Sequence, residues 1–166
     1  GNSFAIIDCK QLGLSLDLQE KEKILDFAME LFPMITAQQP PLHPLRLAEE
    51  QVNEIMLVDN DTSDSRVYRS AIVYGDRILD RAPCGTGSCA RMANLWNRNM
   101  LREGDSFTHQ SLFGTEFYGE ILGSRIVGGT EILQCRLSAS PQKTGEGFLF
   151  FLKKWVYKPG IEEVNI

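Results

Sequence analysis

Asp80-Arg81-Ala82-Pro83-Cys84-Gly85-Thr86-Gly87 is the stretch on which the reading of this chain turns. It sets one cysteine behind a rigid proline and directly ahead of a Gly-Thr-Gly turn, and a helical pattern over residues 88–101 follows at once. A thiol at the mouth of a helix is tuned to ionise, because the dipole and the spare N–H groups of the first turn favour negative charge. The same N–H groups can hold a carboxylate. Gly85 and Gly87 carry no Cβ and let a ligand come close to the backbone, and Thr86 adds a hydroxyl donor. Asp80, upstream of the cysteine, is placed to hold a cationic amine. A zwitterionic amino acid fits this set: carboxylate on the helix N-terminus, ammonium on Asp80, α-carbon near Cys84. The thiolate then takes the α-proton as general base, or the thiol returns one as general acid. The plainer alternative is a buried cysteine in a strand-turn-helix junction, with Asp80 and Arg81 paired on the surface.

The helix after the octapeptide has apolar residues at Ala90, Met92, Ala93, Leu95, Trp96, Met100 and Leu101. They cover much of its surface, which predicts burial on most sides, with Gly104 as the stop. Upstream, residues 3–8 read as a short buried strand and residues 10–18 as a polar connection broken at Gly13. Residues 19–31 carry Ile24, Leu25, Ala28 and Met29, with Leu31 or Phe32 next, at helical spacing. Asp17 is the expected N-cap, with Glu20 in the capping-box position, and Pro33 is expected to end or bend the helix. The proline-rich residues 38–44 read as a loop. Residues 54–58 and 66–73 read as strands around an acidic turn, and Ile78-Leu79 leads into the octapeptide. Beyond the helix, strands are expected at 107–112, 116–121, 131–137 and 148–152. The fold class is therefore α/β or α+β, strand-rich in its second half and packed around one apolar helix.

At 166 residues, with 43% hydrophobic and 23% charged residues, the chain has the make-up of one soluble globular domain. A net charge of -5 and a pI near 5.1 argue against nucleic acid or an anionic membrane as partner. No apolar run is long enough to span a bilayer. The opening GNSFAIIDCK lacks the basic and apolar regions of a signal peptide, so a cytoplasmic location is expected. It also starts at Gly1 without methionine and reads as a strand almost at once, which suggests a chain that begins inside a larger protein. The cysteines at 9, 84, 89 and 135 are read as reduced thiols. Cys84 and Cys89 do not have zinc-ribbon spacing, and His43 and His109 fall in no ligand pattern, so no metal is expected.

The octapeptide and its continuation, DRAPCGTGSCARMA, resemble the second cysteine motif of the proline racemase family, D-R-S-P-C-G-T-G-T-S-A. Asp80, Arg81, Pro83, Cys84, Gly85, Thr86, Gly87, Ala90 and Arg91 fall in register. The segment from Gln110 to Gly119 resembles the family's E-S-I-L-G-T-x-F-x-G, Val73-Tyr74-Gly75-Asp76 its strand entering the site, and Gly1-Asn2-Ser3-Phe4-Ala5 the strand that opens its second half. The resemblance implies one lobe of the diaminopimelate epimerase-like fold over residues 1–152, a curved sheet around a central buried helix. It implies no cofactor, a site in the cleft between two lobes, and one cysteine from each lobe flanking the substrate α-carbon. Carried over by resemblance, Cys84 is one acid/base thiol, Asp80 meets the ring nitrogen of proline or hydroxyproline, the Gly85 and Thr86 amides meet its carboxylate, and Tyr74 lines the ring pocket.

Two departures matter. The first-lobe motif M-C-G-H-G is absent, so this chain resembles the second half of a racemase or epimerase and is expected to be inactive without the missing N-terminal lobe. Residues 153–166 are basic and aromatic where the family ends in an acidic stretch, and are set apart as a divergent C-terminal tail. Smaller departures are Ala82 for serine and Ser88-Cys89 for Thr-Ser. His109 is given a structural role. An isolated lobe would expose an apolar cleft face, through which a homodimer is expected. Two other readings are a non-catalytic remnant serving as an interaction domain, and a redox protein using Cys84 and Cys89.

Overall fold

The computed structural model describes residues 2–38, 43, 51–59, 66–143 and 145–147. Its elements run β1 (Ser3–Asp8), α1 (Lys21–Thr36), β2 (Val52–Val58), β3 (Val67–Tyr74), β4 (Ile78–Leu79), α2 (Gly85–Asn97), β5 (Ser106–Ser111), β6 (Glu116–Val127) and β7 (Thr130–Ala139). The strands form one sheet in the order β1-β2-β3-β5-β6-β7, with the short β4 paired to β3.

Two crossovers set its architecture. β1 and β2 are parallel and joined through α1; β3 and β5 are parallel and joined through α2. β3 runs antiparallel to β2, so the second crossover starts in the reverse direction but moves the same way across the sheet. Crossovers of one hand must then place their helices on opposite faces. The side chains show that they do. Ile55 and Leu57 of β2 and Ala71 and Val73 of β3 bury against Ile24, Leu25 and Ala28 of α1. Met56 and Val58 alternate to the other face, where they pack with Ile72, and a Cβ built on Gly87 of α2 would meet Ile72 and Met56. Covered on both faces, Ile55-Met56-Leu57-Val58 is an unbroken apolar run, as doubly covered strands are.

Helix α2 also packs against β1 and β7, the two strands at opposite ends of the sheet order. A sheet that touches one helix with both of its ends is curved around it. Met92 and Leu95 of α2 meet Tyr68, Phe107, Leu101 and Ile121 in a second apolar cluster. Only Gly85, Thr86, Ala93 and Asn97 of this helix are exposed, close to the expected burial on most sides.

Element boundaries differ from the sequence reading for local reasons. Helix α2 begins at Gly85 instead of residue 88, because Cys84 caps it. It stops at Asn97, before Gly104. Asn99 adopts φ 59, and the N–H groups of Asn99 and Met100 bond back to the carbonyls of Trp96 and Leu95, both at 2.9 Å, closing the C-terminus. Helix α1 runs through Pro33 to Thr36; near the end of the helix the proline removes one bond, and the Ala37 N–H still reaches the Pro33 carbonyl at 3.0 Å. Asp17 caps the short 3-10 turn Leu18–Glu20 that precedes α1 instead of α1 itself, and Glu20 receives the Ser15 N–H at 3.3 Å. Strand β6 is longer than expected. Its register shifts between Ile121 and Gly123, an irregularity past which the strand continues. Gly128 and Gly129, at φ 59 and 83, then turn it tightly into β7. The strand expected at 148–152 and the tail at 153–166 lie outside the described residues.

Candidate active site

The octapeptide runs from the end of β4 into the first turn of α2, in the crossover from β3 to β5. Cys84 is the N-cap of α2 and lies at φ 64, ψ 128, a backbone region that residues with a Cβ occupy at a cost of about 1–3 kcal/mol. Such strain is held by its surroundings. The Ser88 N–H and the Ser88 hydroxyl both donate to the Cys84 carbonyl, at 2.9 and 2.8 Å. Upstream, the Arg81 carbonyl accepts the Ser111 hydroxyl at 2.9 Å and the Thr115 hydroxyl at 2.7 Å. The β5–β6 turn thus ties down the loop that carries the thiol.

The thiol is half-buried. Its sulfur accepts the Gly87 N–H at 3.4 Å and lies 3.4 Å from Thr86 Oγ1 and 3.8 Å from Tyr74 Oη. Tyr74 gives its proton to Asp80 Oδ2 at 2.9 Å, and Asp80 Oδ1 accepts the Ala82 N–H at 3.0 Å. Burial, reinforced by hydrogen bonding to Asp80 and by Cys84, pushes the Tyr74 phenol well above its ordinary value, so it stays a proton donor. The Asp80 main chain is set by its N–H bond to the Ile72 carbonyl at 2.9 Å. Gly85 and Thr86 are exposed in the first turn of α2, where helix geometry leaves N–H groups without intrahelical partners. Cys84, Asp80, Tyr74, Gly85 and Thr86 are therefore brought together: a thiol, a carboxyl group, a phenol and an exposed first helical turn on one surface.

Gly87 is needed for a reason of packing. A Cβ there would fall 2.6 Å from Ile72 Cδ1 and 3.2 Å from both Cys84 Cβ and Met56 Cε. Gly87→Val is expected to lower stability by about 1–3 kcal/mol through overpacking, which valine's slight helix-propensity gain over glycine does not offset. Urea unfolding with an unchanged midpoint would show that the helix mouth does not press on the sheet in this way.

Several participating residues escape a reading of the motif alone. Phe4, Ile6, Met56, Ile72 and Tyr74 form an apolar floor with Cys84. Glu54 stands opposite Tyr74 in the β2–β3 register and so shares its face; it is nearly buried, bonds Asn2 Nδ2 at 2.7 Å, and burial pushes its carboxyl above the usual range. His109 is fully buried, with Nδ1 2.8 Å from Ser88 Oγ and Nε2 2.7 Å from Ser70 Oγ. Burial, with the nearby Arg91 cation, pushes its pKa down to about 3, so it is neutral, in line with a structural role. The sequence signal was the alternation of β5, which puts polar His109 and Ser111 on the same buried face as Phe107.

Cys84 and Cys89 are not partners. Cys89 packs with Met92 and Cys135 in the second cluster, and the Cys135 thiol donating to it lowers its pKa to about 7. Among the described residues no group of three His, Cys, Asp or Glu side chains is arranged to hold a metal ion, and no helix is long and apolar enough to cross a membrane.

The family described as "Proline racemase" matches residues 1–160. The proline racemase of Clostridioides difficile is 32% identical over 145 residues, which cover 87% of this chain and 43% of that protein. The 4-hydroxyproline 2-epimerase 2 of Rhizobium rhizogenes is 36% identical over 129 residues, covering 78% of this chain and 39% of that protein. Among solved structures, a hydroxyproline epimerase from Agrobacterium vitis with bound trans-4-hydroxy-L-proline superposes with a TM-score of 0.75 at 28% identity, over 82% of this chain and 39% of that one. The chain thus spans roughly two-fifths of the length of these relatives.

Proposed function

The chain belongs to the proline racemase family, and from that premise we propose that it supplies one acid/base thiol, Cys84, of a racemase or epimerase that inverts the α-carbon of proline or hydroxyproline. The observation that carries this reading is the juxtaposition of the Cys84 sulfur with the Tyr74–Asp80 pair and the open first turn of α2. The substrate carboxylate docks on the Gly85 and Thr86 amides. Its ring ammonium docks on Asp80, whose oxygens each accept one bond in the protein and keep a further lone pair. Tyr74 and the apolar floor take the ring. Inversion removes a proton from one face and replaces it on the other, so a second acid/base group must face Cys84. In this proposal a first lobe provides it, consistent with the share of the relatives' length that the chain covers. No step calls for a cofactor.

The test mixes this chain with the isolated first lobe of a full-length relative and follows the α-proton signals of L-proline and trans-4-hydroxy-L-proline in D2O by NMR. Loss of the α-proton from one of the two, with the other enantiomer or epimer appearing, is expected only in the mixture. A mixture that forms a complex, shown by co-sedimentation, yet exchanges neither substrate would overturn the catalytic reading and favour an interaction domain.

A further inference from the structure

We propose that Ser70, His109 and Ser88 form a one-directional hydrogen-bond relay that holds Cys84 in its working backbone conformation, with His109 as a positioning residue. The relay rests on the proposed acid/base role of Cys84 for its meaning, but on geometry alone for its existence. Its three members are buried to 2% exposure or less, and they come from three elements: Ser70 from β3, His109 from β5 and Ser88 from α2.

The direction follows from the end of the chain. The Cys84 carbonyl can only accept, so the Ser88 hydroxyl, 2.8 Å away, donates to it. Ser88 Oγ must then receive a proton from His109 at 2.8 Å, which places the imidazole proton on Nδ1. Nε2 is left as a lone pair and accepts the Ser70 hydroxyl at 2.7 Å. Every proton has one place, and every buried polar atom of the three side chains has a partner. An imidazolium would put a second N–H against Ser70 and would meet the Arg91 cation nearby.

The relay is also tied to the second anchor of the loop. Ser70 pairs with Ser111 in the β3–β5 register, and Ser111 bonds the Arg81 carbonyl. The Arg81 carbonyl is therefore held by a hydroxyl of β5, and the Cys84 carbonyl by the Ser88 hydroxyl of α2, whose partner His109 is also on β5. With its carbonyl fixed, Cys84 keeps its sulfur on the Gly87 N–H and keeps the first-turn amides facing outward.

The experiment uses the full chain without substrate, so its outcome is separate from that of the racemase reading. Long-range 15N–1H NMR at neutral pH is expected to show His109 as the Nδ1–H tautomer. Alkylation of Cys84 by iodoacetamide, read by peptide mass, is expected to slow about tenfold in Ser88→Ala and in His109→Leu, as misplaced reacting groups do. His109→Asn, whose Nδ2 can take the place of Nδ1–H, is expected to restore most of the rate. Cys9, buried in the first cluster, must stay protected in each variant, which separates loss of positioning from loss of fold. An Nε2–H tautomer or an imidazolium in the native chain would overturn the relay. So would a Cys84 rate unchanged in folded Ser88→Ala.

Discussion

Cys84→Ser should lower α-proton exchange at the assembled site by about 10²–10⁴-fold, the usual contribution of a positioned general acid or base. The substitution is chosen because it leaves the scaffold intact. Serine is a preferred N-cap residue, and its oxygen can take the Gly87 N–H that the sulfur accepts at 3.4 Å. The Ser88, Ser111 and Thr115 bonds to the loop go to main-chain carbonyls and do not depend on the side chain at 84. What is lost is the thiol that carries the α-proton in the proposed reaction. Substrate binding through Asp80 and the first turn of α2 should persist, so the loss should fall on turnover more than on half-saturation. The measurement is the D2O exchange experiment, run beside a thermal melt of the same variant. Exchange at the wild-type rate in a folded Cys84→Ser protein would remove the thiol from the chemistry.

The largest loss of stability is expected at the axis of the fold. Leu95 is fully buried among Tyr68, Met92, Leu101, Phe107 and Ile121. Its carbonyl also accepts the Met100 N–H that closes α2, a main-chain bond that alanine retains. Leu95→Ala therefore isolates the side chain, and should cost about 2–5 kcal/mol from lost burial plus the cavity left behind. The sheet reaches α2 from both ends, so neither side can collapse into the gap without moving the other. Urea unfolding should show a lower midpoint with an unchanged slope. Ala93→Ser, on the exposed side of the same helix, should stay within about 0.5 kcal/mol and serves as the control. A Leu95→Ala midpoint equal to that control would mean that α2 is not the core around which the sheet is built.

The octapeptide carried most of the site in readable form. Proline, cysteine and two glycines before an apolar helix leave few local structures; the motif singled out Asp80, Cys84, Gly85 and Thr86, the family resemblance added Tyr74, and these side chains and this helix turn lie close together. The mixed α/β class and the course of most strands were likewise legible, because β2 and β3 contain the apolar runs Ile55-Met56-Leu57-Val58 and Ala71-Ile72-Val73 and β5 alternates. What escaped was set by distant partners. Gly-Thr-Gly reads as a turn by propensity, yet it is the first turn of α2, because the strained cap at Cys84 is stabilised by residues far along the chain. Pro33 reads as an end or a bend of the helix, and the helix continues past it. Ser70, Ser88 and Ser111 are unremarkable by type; they matter because parallel pairing of β3 with β5 brings them to one place.

The backbone at Cys84 has a consequence for how this position can change. Its φ of 64 is one that glycine adopts freely and that cysteine holds under strain. Against a folding margin of about 5–15 kcal/mol, a strain of about 1–3 kcal/mol is a sizeable share. The strain taken alone would favour discarding the side chain at position 84, whereas the proposed chemistry requires a thiol there. The two demands are opposed at a single residue, so a lineage released from the need to move a proton has a stabilising route open to it in one codon change.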